Sequence, residues 1–407
     1  MRAWLMGLAV LLLGQTVCAF ETMQRVRAEG VVRVGVHADS NETARAVRLG
    51  RFLAAEPEIL RFDRTDALLQ ALEAGTIDVA ATPVDRRRPL PDTLEFTATV
   101  DLARLVRTGG RGPLSVRPGS DEWYRAVAMR TRDASLALTV APASLPDEEL
   151  VRTSAALLFT RSPITTPAQV VADRQPRAWV RRDGDDVLGF KLDRFIHAEA
   201  LRDFAAEHAA VPTARLMRAA LRGEALTPWD ALARQHGRFH GLDWRLLLAV
   251  MYKESRFDPE AVSRTGARGL MQLKSIAATE VGLSHYEAPA DNVLAGARYL
   301  AWIKDQLGAD LDPAERVWLA LAAYNGGIGT VRRARAHAAR MGRDPNRWDG
   351  HVARSVEEMA RQRGGIDSAQ IIGYVDDVRA TLATYIRATE PLPRQSRHAS
   401  ISIYASP

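Results

Sequence analysis

The sequence has one cysteine in 407 residues, Cys18, and it falls inside an amino-terminal stretch with the pattern of an export signal. Arg2 precedes an apolar run from Ala3 to Leu13, and Val17-Cys18-Ala19 leads into Phe20-Glu21, which puts the expected cleavage after Ala19. A mature chain without cysteine holds neither a disulfide framework nor a thiolate zinc site. The apolar run is short for a membrane span, and nothing later in the chain has the length and apolarity of one. The alternatives are a retained anchor and lipidation of Cys18, although Val17 stands where lipidation expects a small residue. A large excess of one charge is also lacking. Lys+Arg 55 against Asp+Glu 49 leaves +6, which admits an anionic partner without arguing for nucleic acid. No GxGxxG or phosphate-loop motif is present, so no nucleotide cofactor is expected. His240, His285 and His337 lack ligand spacing, and no metal is expected. With 47% hydrophobic and 26% charged residues, the composition excludes wholesale disorder and fits a globular chain of two or three domains.

Two textures divide the chain. Gly30 to Val36 reads as a β-branched strand, Glu42 to Ala54 and Asp66 to Ala74 as helices, and Ile77 to Ala81 as a second strand. Extended segments are expected at Leu102 to Arg107 and Leu136 to Val140, giving an α/β layer. The stretch from Pro113 to His197 is rich in proline and less readable, with Asp183 to Phe190 expected as a loop or linker around Gly184 and Gly189. From Ala198 the pattern is helical. Asp243 is expected to cap a helix through Leu247 and Met251, Asp291 one through Leu300 and Leu307, and Asp312 one that begins with Pro313 and stops at Gly326-Gly327. The expected boundaries are a signal at 1–19, an α/β module at 20–197, a helical linker at 198–236, an all-α domain at 237–390 and a flexible tail at 391–407.

Glu254 is the most informative single residue. It lies seven residues after Leu247, four after Val250 and three after Met251, so a continuing helix carries its carboxylate along the apolar face. A carboxyl held there must be hydrogen-bonded or keep its proton toward neutral pH, the condition for a general acid. Periodicity equally admits a glutamate that turns to solvent at a helix end. Thr265 to Gln272 is a glycine-containing turn whose Gln272 could donate to a sugar oxygen, or be an ordinary helix connection. Tyr324 and Asn325 end the third helix and supply a hydroxyl, an aromatic face and an amide, or only a structural terminus. The arginines from Arg332 to Arg347 read as a solvated basic face that could also attract carboxylates.

Together these segments resemble the transglycosylase domain of the soluble and membrane-bound lytic transglycosylases, whose fold is related to goose-type lysozyme. The resemblance runs from Phe239 to Arg387. It is carried by Asp243 to Leu247, Tyr252 to Pro259, Gly266 to Gln272, Gly296 to Leu300 and Leu321 to Gly327. The first half more weakly resembles a periplasmic solute-binding module through Val32 to Gly35 and Gly75 to Ala81. The fold implied is an α/β solute-binding-like N-terminal module followed by an all-α lysozyme-like domain.

By this resemblance Glu254 would be the catalytic acid and base, and Ser255 would help orient or hydrogen-bond it. Met271 and Gln272 would line a glycan cleft, with Tyr324 and Asn325 beside the scissile sugar. Tyr374-Val375 matches a late Tyr-Val pair of the family, but Gln370 stands where the family has a glutamate. The implied reaction cleaves the β-1,4 bond between N-acetylmuramic acid and N-acetylglucosamine, closing a 1,6-anhydro ring without water. One carboxylate serves both proton transfers because the nucleophile is part of the substrate. A water-using muramidase would need a second carboxylate, for which Asp258 is the candidate. A catalytically weak peptidoglycan-binding or sensory protein is the reading from another class. Expected partners are peptidoglycan strands, with a muropeptide or protein regulator at the first module. The expected location is the periplasm or outside the cell, peripheral to the outer membrane if attached.

Overall fold

The computed structural model describes residues 21–38, 42–108, 113–132, 135–141, 150, 155–160, 168–208, 216, 219, 222–363 and 365–390. The export signal, Cys18 and the 391–407 tail lie outside the described residues. The chain forms two compact units, residues 1–198 with 307–316 and residues 199–306 with 317–407. Among the described residues no helix is long and apolar enough to cross a membrane.

The first unit is α/β. Helix α1 (Glu21–Glu29) leads into β1 (Val31–His37), whose Val32, Val34 and Val36 are fully buried. Then come α2 (Thr43–Leu53), β2 (Glu56–Phe62), α3 (Thr65–Glu73) and β3 (Val79–Asp85). The later strands are β4 (Leu94–Thr108), β5 (Leu114–Val116), β6 (Leu138–Val140), β7 (Ala155–Thr160) and β8 (Ala168–Arg182), with α4 (Asp121–Arg130) between β5 and β6. All eight strands share one sheet in the order β2-β1-β3-β8-β4-β7-β5-β6. β1 runs parallel to β2 and β3, and the long β4 and β8 pair antiparallel at its centre.

Several sequence expectations shift. β2 was not foreseen between the two helices because it is an edge strand carrying Glu56, Pro57, Glu58 and Arg61 with little alternation. β3 starts two residues after Ile77 and continues through Pro83 to Asp85. The proposed loop at Asp183 to Phe190 is instead a turn at residues 183–185 followed by helix α5 (Asp186–His208). Asp185 accepts from the Leu188 amide at 3.3 Å, and Gly189 lies inside the helix because a Cβ there would be 2.5 Å from the Arg181 guanidinium. That glycine marks close packing, whereas the sequence pattern suggested flexibility.

The second unit is all-α. Its elements are α6 (Asp230–His240), α7 (Trp244–Ser255), the short α8 (Ser275–Glu280), α9 (Pro289–Gln306), α10 (Pro313–Gly326, of which the part from Val317 belongs to this unit), α11 (Ile328–Arg340), α12 (Ala353–Arg363) and α13 (Ser368–Thr389). Residues 246–251 of α7 are all buried, so this helix is covered on every side, with α6 and α13 against it. Asp243 caps α7 through the Arg245 amide at 2.8 Å, and Asp312 caps α10 through the Ala314 amide at 3.0 Å. Asp291 is not a cap. Helix α9 begins at Pro289, and Asp291 lies in its first turn, where a negative charge favours the helix dipole.

Candidate active site

Glu254 occupies the last turn of α7, and the chain leaves that helix through two consecutive non-glycine residues with left-handed backbones, Arg256 at φ 55° and Phe257 at φ 70°. Such conformations cost of order 1–3 kcal/mol each and persist only when neighbours fix them. Trp229 Nε1 donates to the Phe257 carbonyl at 3.2 Å, and the Arg256 guanidinium lies 4.4 Å from the Tyr252 ring centre. The sharp exit turns the chain from the Glu254 end of α7 into the loop that follows.

Burial is the dominant influence on Glu254 and pushes its carboxyl up to about 7. The Tyr374 hydroxyl and the Lys253 ammonium pull it partly back, and among the described residues no other carboxylate acts on it. Although the residue as a whole is only half-buried, the carboxyl end is the desolvated part. Two tyrosines from other helices face this charge, Tyr324 from α10 and Tyr374 from α13. Burial and the nearby Glu254 charge hold both phenols well above 10, so each keeps its proton and remains a donor. Tyr324 donates to the Met271 carbonyl at 2.9 Å. The buried Tyr374 hydroxyl has no partner of ordinary hydrogen-bond geometry, although it faces the Glu254 carboxylate closely enough to favour its ionised form.

The loop before α8 departs from the sequence expectation at three residues. Ser255 does not hydrogen-bond Glu254: its one hydroxyl proton is shared between the Leu270 carbonyl at 2.9 Å and the Met251 carbonyl at 3.2 Å, tying α7 to the loop. Met271 offers no side-chain surface to a glycan, because it is fully buried and packs where a Cβ on Gly296 would lie 2.3 Å from its sulfur. Gln272, at φ 45°, donates its amide to the carbonyls of Ala261 at 2.9 Å and Gly269 at 3.0 Å. Two carbonyl acceptors fix the amide orientation, so its side-chain oxygen is the atom left to meet a sugar hydroxyl.

Asn292 is the residue that sequence reasoning missed. Fully buried in α9, it accepts from the Met271 amide at 2.8 Å and donates to the carbonyls of Arg268 at 2.9 Å and Tyr286 at 3.0 Å. Gly269, at φ 74°, leaves it room, since a Cβ there would fall 2.6 Å from the Asn292 amide. The signal was present in the periodicity: Asn292, Gly296 and Leu300 share the buried face of α9, the same polar-on-apolar placement that singled out Glu254. Tyr299 was also passed over, and its ring lies 5.6 Å from that of Tyr324. At the rim, Gln370 donates to the Asn325 Oδ1 at 3.4 Å, which pairs the ends of α13 and α10. Asp258 is exposed and accepts from the Glu260 amide at 2.9 Å, a turn residue in its contacts. Among the described residues no group of His, Cys, Asp or Glu side chains could hold a metal ion.

A family model described as a transglycosylase SLT domain matches residues 231–345, spanning Glu254, the loop with Asn292, and Tyr324. A membrane-bound lytic murein transglycosylase F from Desulfosudis oleivorans is 30% identical over 319 residues, 70% of this chain and 70% of that protein. The chain belongs to the membrane-bound lytic murein transglycosylase F family. Its members are lytic transglycosylases, a class of lyases, and the all-α unit is their SLT, lysozyme-like domain. The similarity concentrates in shorter stretches for other members. The protein of the same name numbered 1 from Alkalilimnicola ehrlichii is 38% identical over 164 residues, 38% of this chain and 33% of its own length. That from Thiobacillus denitrificans is 47% identical over 108 residues, 26% of this chain and 23% of its own length. Among solved structures, an ancestral amino acid-binding protein, a precursor of cyclohexadienyl dehydratase, covers 44% of this chain with 93% of its own, at 15% identity and a TM-score of 0.37. That similarity carries no argument about what this chain binds.

Proposed function

We propose that this lytic transglycosylase cleaves the β-1,4 bond between N-acetylmuramic acid and N-acetylglucosamine in peptidoglycan and leaves a 1,6-anhydromuramoyl end. Glu254 donates its proton to the glycosidic oxygen as the C–O bond to the muramic acid C1 breaks. The resulting carboxylate then takes the proton of the C6 hydroxyl while that oxygen bonds to C1, so the glutamate ends protonated and no water is consumed. The observation that supports this is a buried carboxyl holding its proton toward pH 7, faced by phenols and uninfluenced by any other carboxylate among the described residues. A carboxyl with that affinity is matched to both donating and accepting near neutrality.

Residues 237–390 would form the catalytic domain. Gln272 would meet sugar hydroxyls through its free carbonyl oxygen, and Asn325 with Gln370 would form one wall of the cleft. The chain is exported and works at peptidoglycan strands, with peripheral attachment to the membrane in keeping with its family. Full-length mature protein incubated with intact peptidoglycan should release anhydro-muropeptides detectable by mass spectrometry, and Glu254→Gln should lower the rate by at least about a thousandfold. Reducing-end fragments in place of anhydro ends would make it a water-using muramidase. Binding without release by the wild type would leave a peptidoglycan-binding role.

A further inference from the structure

The α/β unit contains a cavity of about 870 Å³ between α4 and the β4 and β8 strands, remote in sequence from every residue of the site above. Its walls are apolar, with Leu105 from β4, Val171 and Ala172 from β8, and Met129 and Tyr124 from α4. Three arginines also line it, Arg87 from the turn after β3, Arg125 from α4 and Arg132 just beyond that helix. Arg125 is the innermost. Its guanidinium donates to Gln175 Oε1 at 2.8 Å and lies 3.4 Å from Asp85, so one of the three charges is matched. Arg87 and Arg132 are exposed, and neither has an ion-pair partner among the described residues. Burial, together with repulsion from Arg87 and Arg132, holds the Arg125 guanidinium below its ordinary value despite the attraction of Asp85.

Convergence of like charges on a half-desolvated guanidinium costs free energy unless an anion shares it. The apolar walls meanwhile offer surface that water solvates poorly. We propose that this cavity binds a small amphipathic oxyanion, an acyl or ring body carrying one carboxylate or phosphate. The body lies against Leu105, Met129 and Val171, and the anionic group lies between Arg87, Arg125 and Arg132. Arginine suits the task because its planar fork pairs with two oxygens of either group. The volume lies within the range of sites that enclose small organic ligands.

The test uses the fluorescent anion 8-anilinonaphthalene-1-sulfonate on the full mature chain, with octanoate and octyl phosphate as competitors. Octylammonium, acetate and inorganic phosphate serve as controls. The proposal expects a component of the fluorescence that octanoate or octyl phosphate displaces and the three controls do not. Whichever of the two competitors acts at the lower concentration identifies the headgroup. Arg87→Glu with Arg132→Glu should weaken the displaceable component at least tenfold. Ala128→Trp, which adds bulk to the cavity-lining face of α4 without changing the charge of the chain, should remove it as well. Near-UV circular dichroism of both variants should match the wild type, and an Arg87→Lys, Arg132→Lys variant should retain binding in part. Displacement by acetate or inorganic phosphate as effective as by octanoate would overturn the proposal. So would undiminished displaceable binding in the folded charge-reversed and cavity-filled variants.

Discussion

Glu254 keeps its proton because its carboxyl end is removed from water in a part of the protein with no cation close enough to compensate fully. The folded chain therefore holds that proton up to about pH 7, whereas the unfolded chain releases it near the ordinary value of 4.5. The resulting stabilisation is complete below 4.5 and is lost as pH rises through 7. Glu254→Gln should accordingly leave thermal stability at pH 4 nearly unchanged and raise it at pH 8 by about 1–3 kcal/mol, read from paired melting curves. Tyr374 works in the opposite direction, since its hydroxyl favours the carboxylate. In Tyr374→Phe the pH above which activity falls should move upward, with folding retained because the ring still fills its buried position. An unmoved profile would separate the tyrosine from the acid.

At the scale of elements, the loop between α7 and α9 matters more than either helix alone. Its backbone carries the carbonyls that receive Ser255 and Tyr324, and Asn292 fixes it with three hydrogen bonds. Asn292→Ala would leave the buried Met271 amide and the Tyr286 carbonyl without partners, while the Arg268 carbonyl keeps the Leu273 amide at 3.0 Å, a loss of about 2–4 kcal/mol in denaturant unfolding. Activity should fall further than stability accounts for, because the Tyr324 and Ser255 acceptors move with the loop. Asn292→Asp retains the acceptor for Met271 but not the two donors, and should fall between.

Much of this was legible in the sequence. The caps at Asp243 and Asp312 and the apolar-face position of Glu254 follow from helical spacing, as does β1 from its valines. What periodicity could not supply were contacts across the chain: the backbone partners of Ser255 and Gln272, the burial of Met271 and the reach of Asn292. Edge strand β2 escaped notice because an edge permits charge and proline, and β8 because Arg174, Gln175 and Pro176 interrupt its pattern. The missed elements are those whose partners lie far away in sequence.

For the whole molecule, the net charge of +6 predicts a measurable electrostatic share in binding to an anionic cell-wall polymer. Glu254→Gln allows this to be measured without degradation of the polymer. The fraction of that variant sedimenting with insoluble peptidoglycan should fall as NaCl rises from about 0.05 to about 0.5 M, over which exposed charges become largely screened. Insensitivity to salt would place recognition in neutral sugar contacts. The two units also divide the chemistry of the chain. Glu254 and its tyrosines belong to the all-α unit, and the arginine-lined cavity to the α/β unit.

Because one amide in α9 grips both ends of the stretch from Met271 to Tyr286, the length of chain between them is decoupled from the position of the site. The tip at Gly282, Ser284 and His285 is exposed, and Gly282 already turns there at φ 73°. Extra residues at that tip add only a slowly growing closure entropy, about 0.6 kcal/mol for each doubling of a flexible loop. This is where a longer chain, a reporter peptide or an added wall-binding segment can be grafted while the carboxyl and its phenols stay where they are.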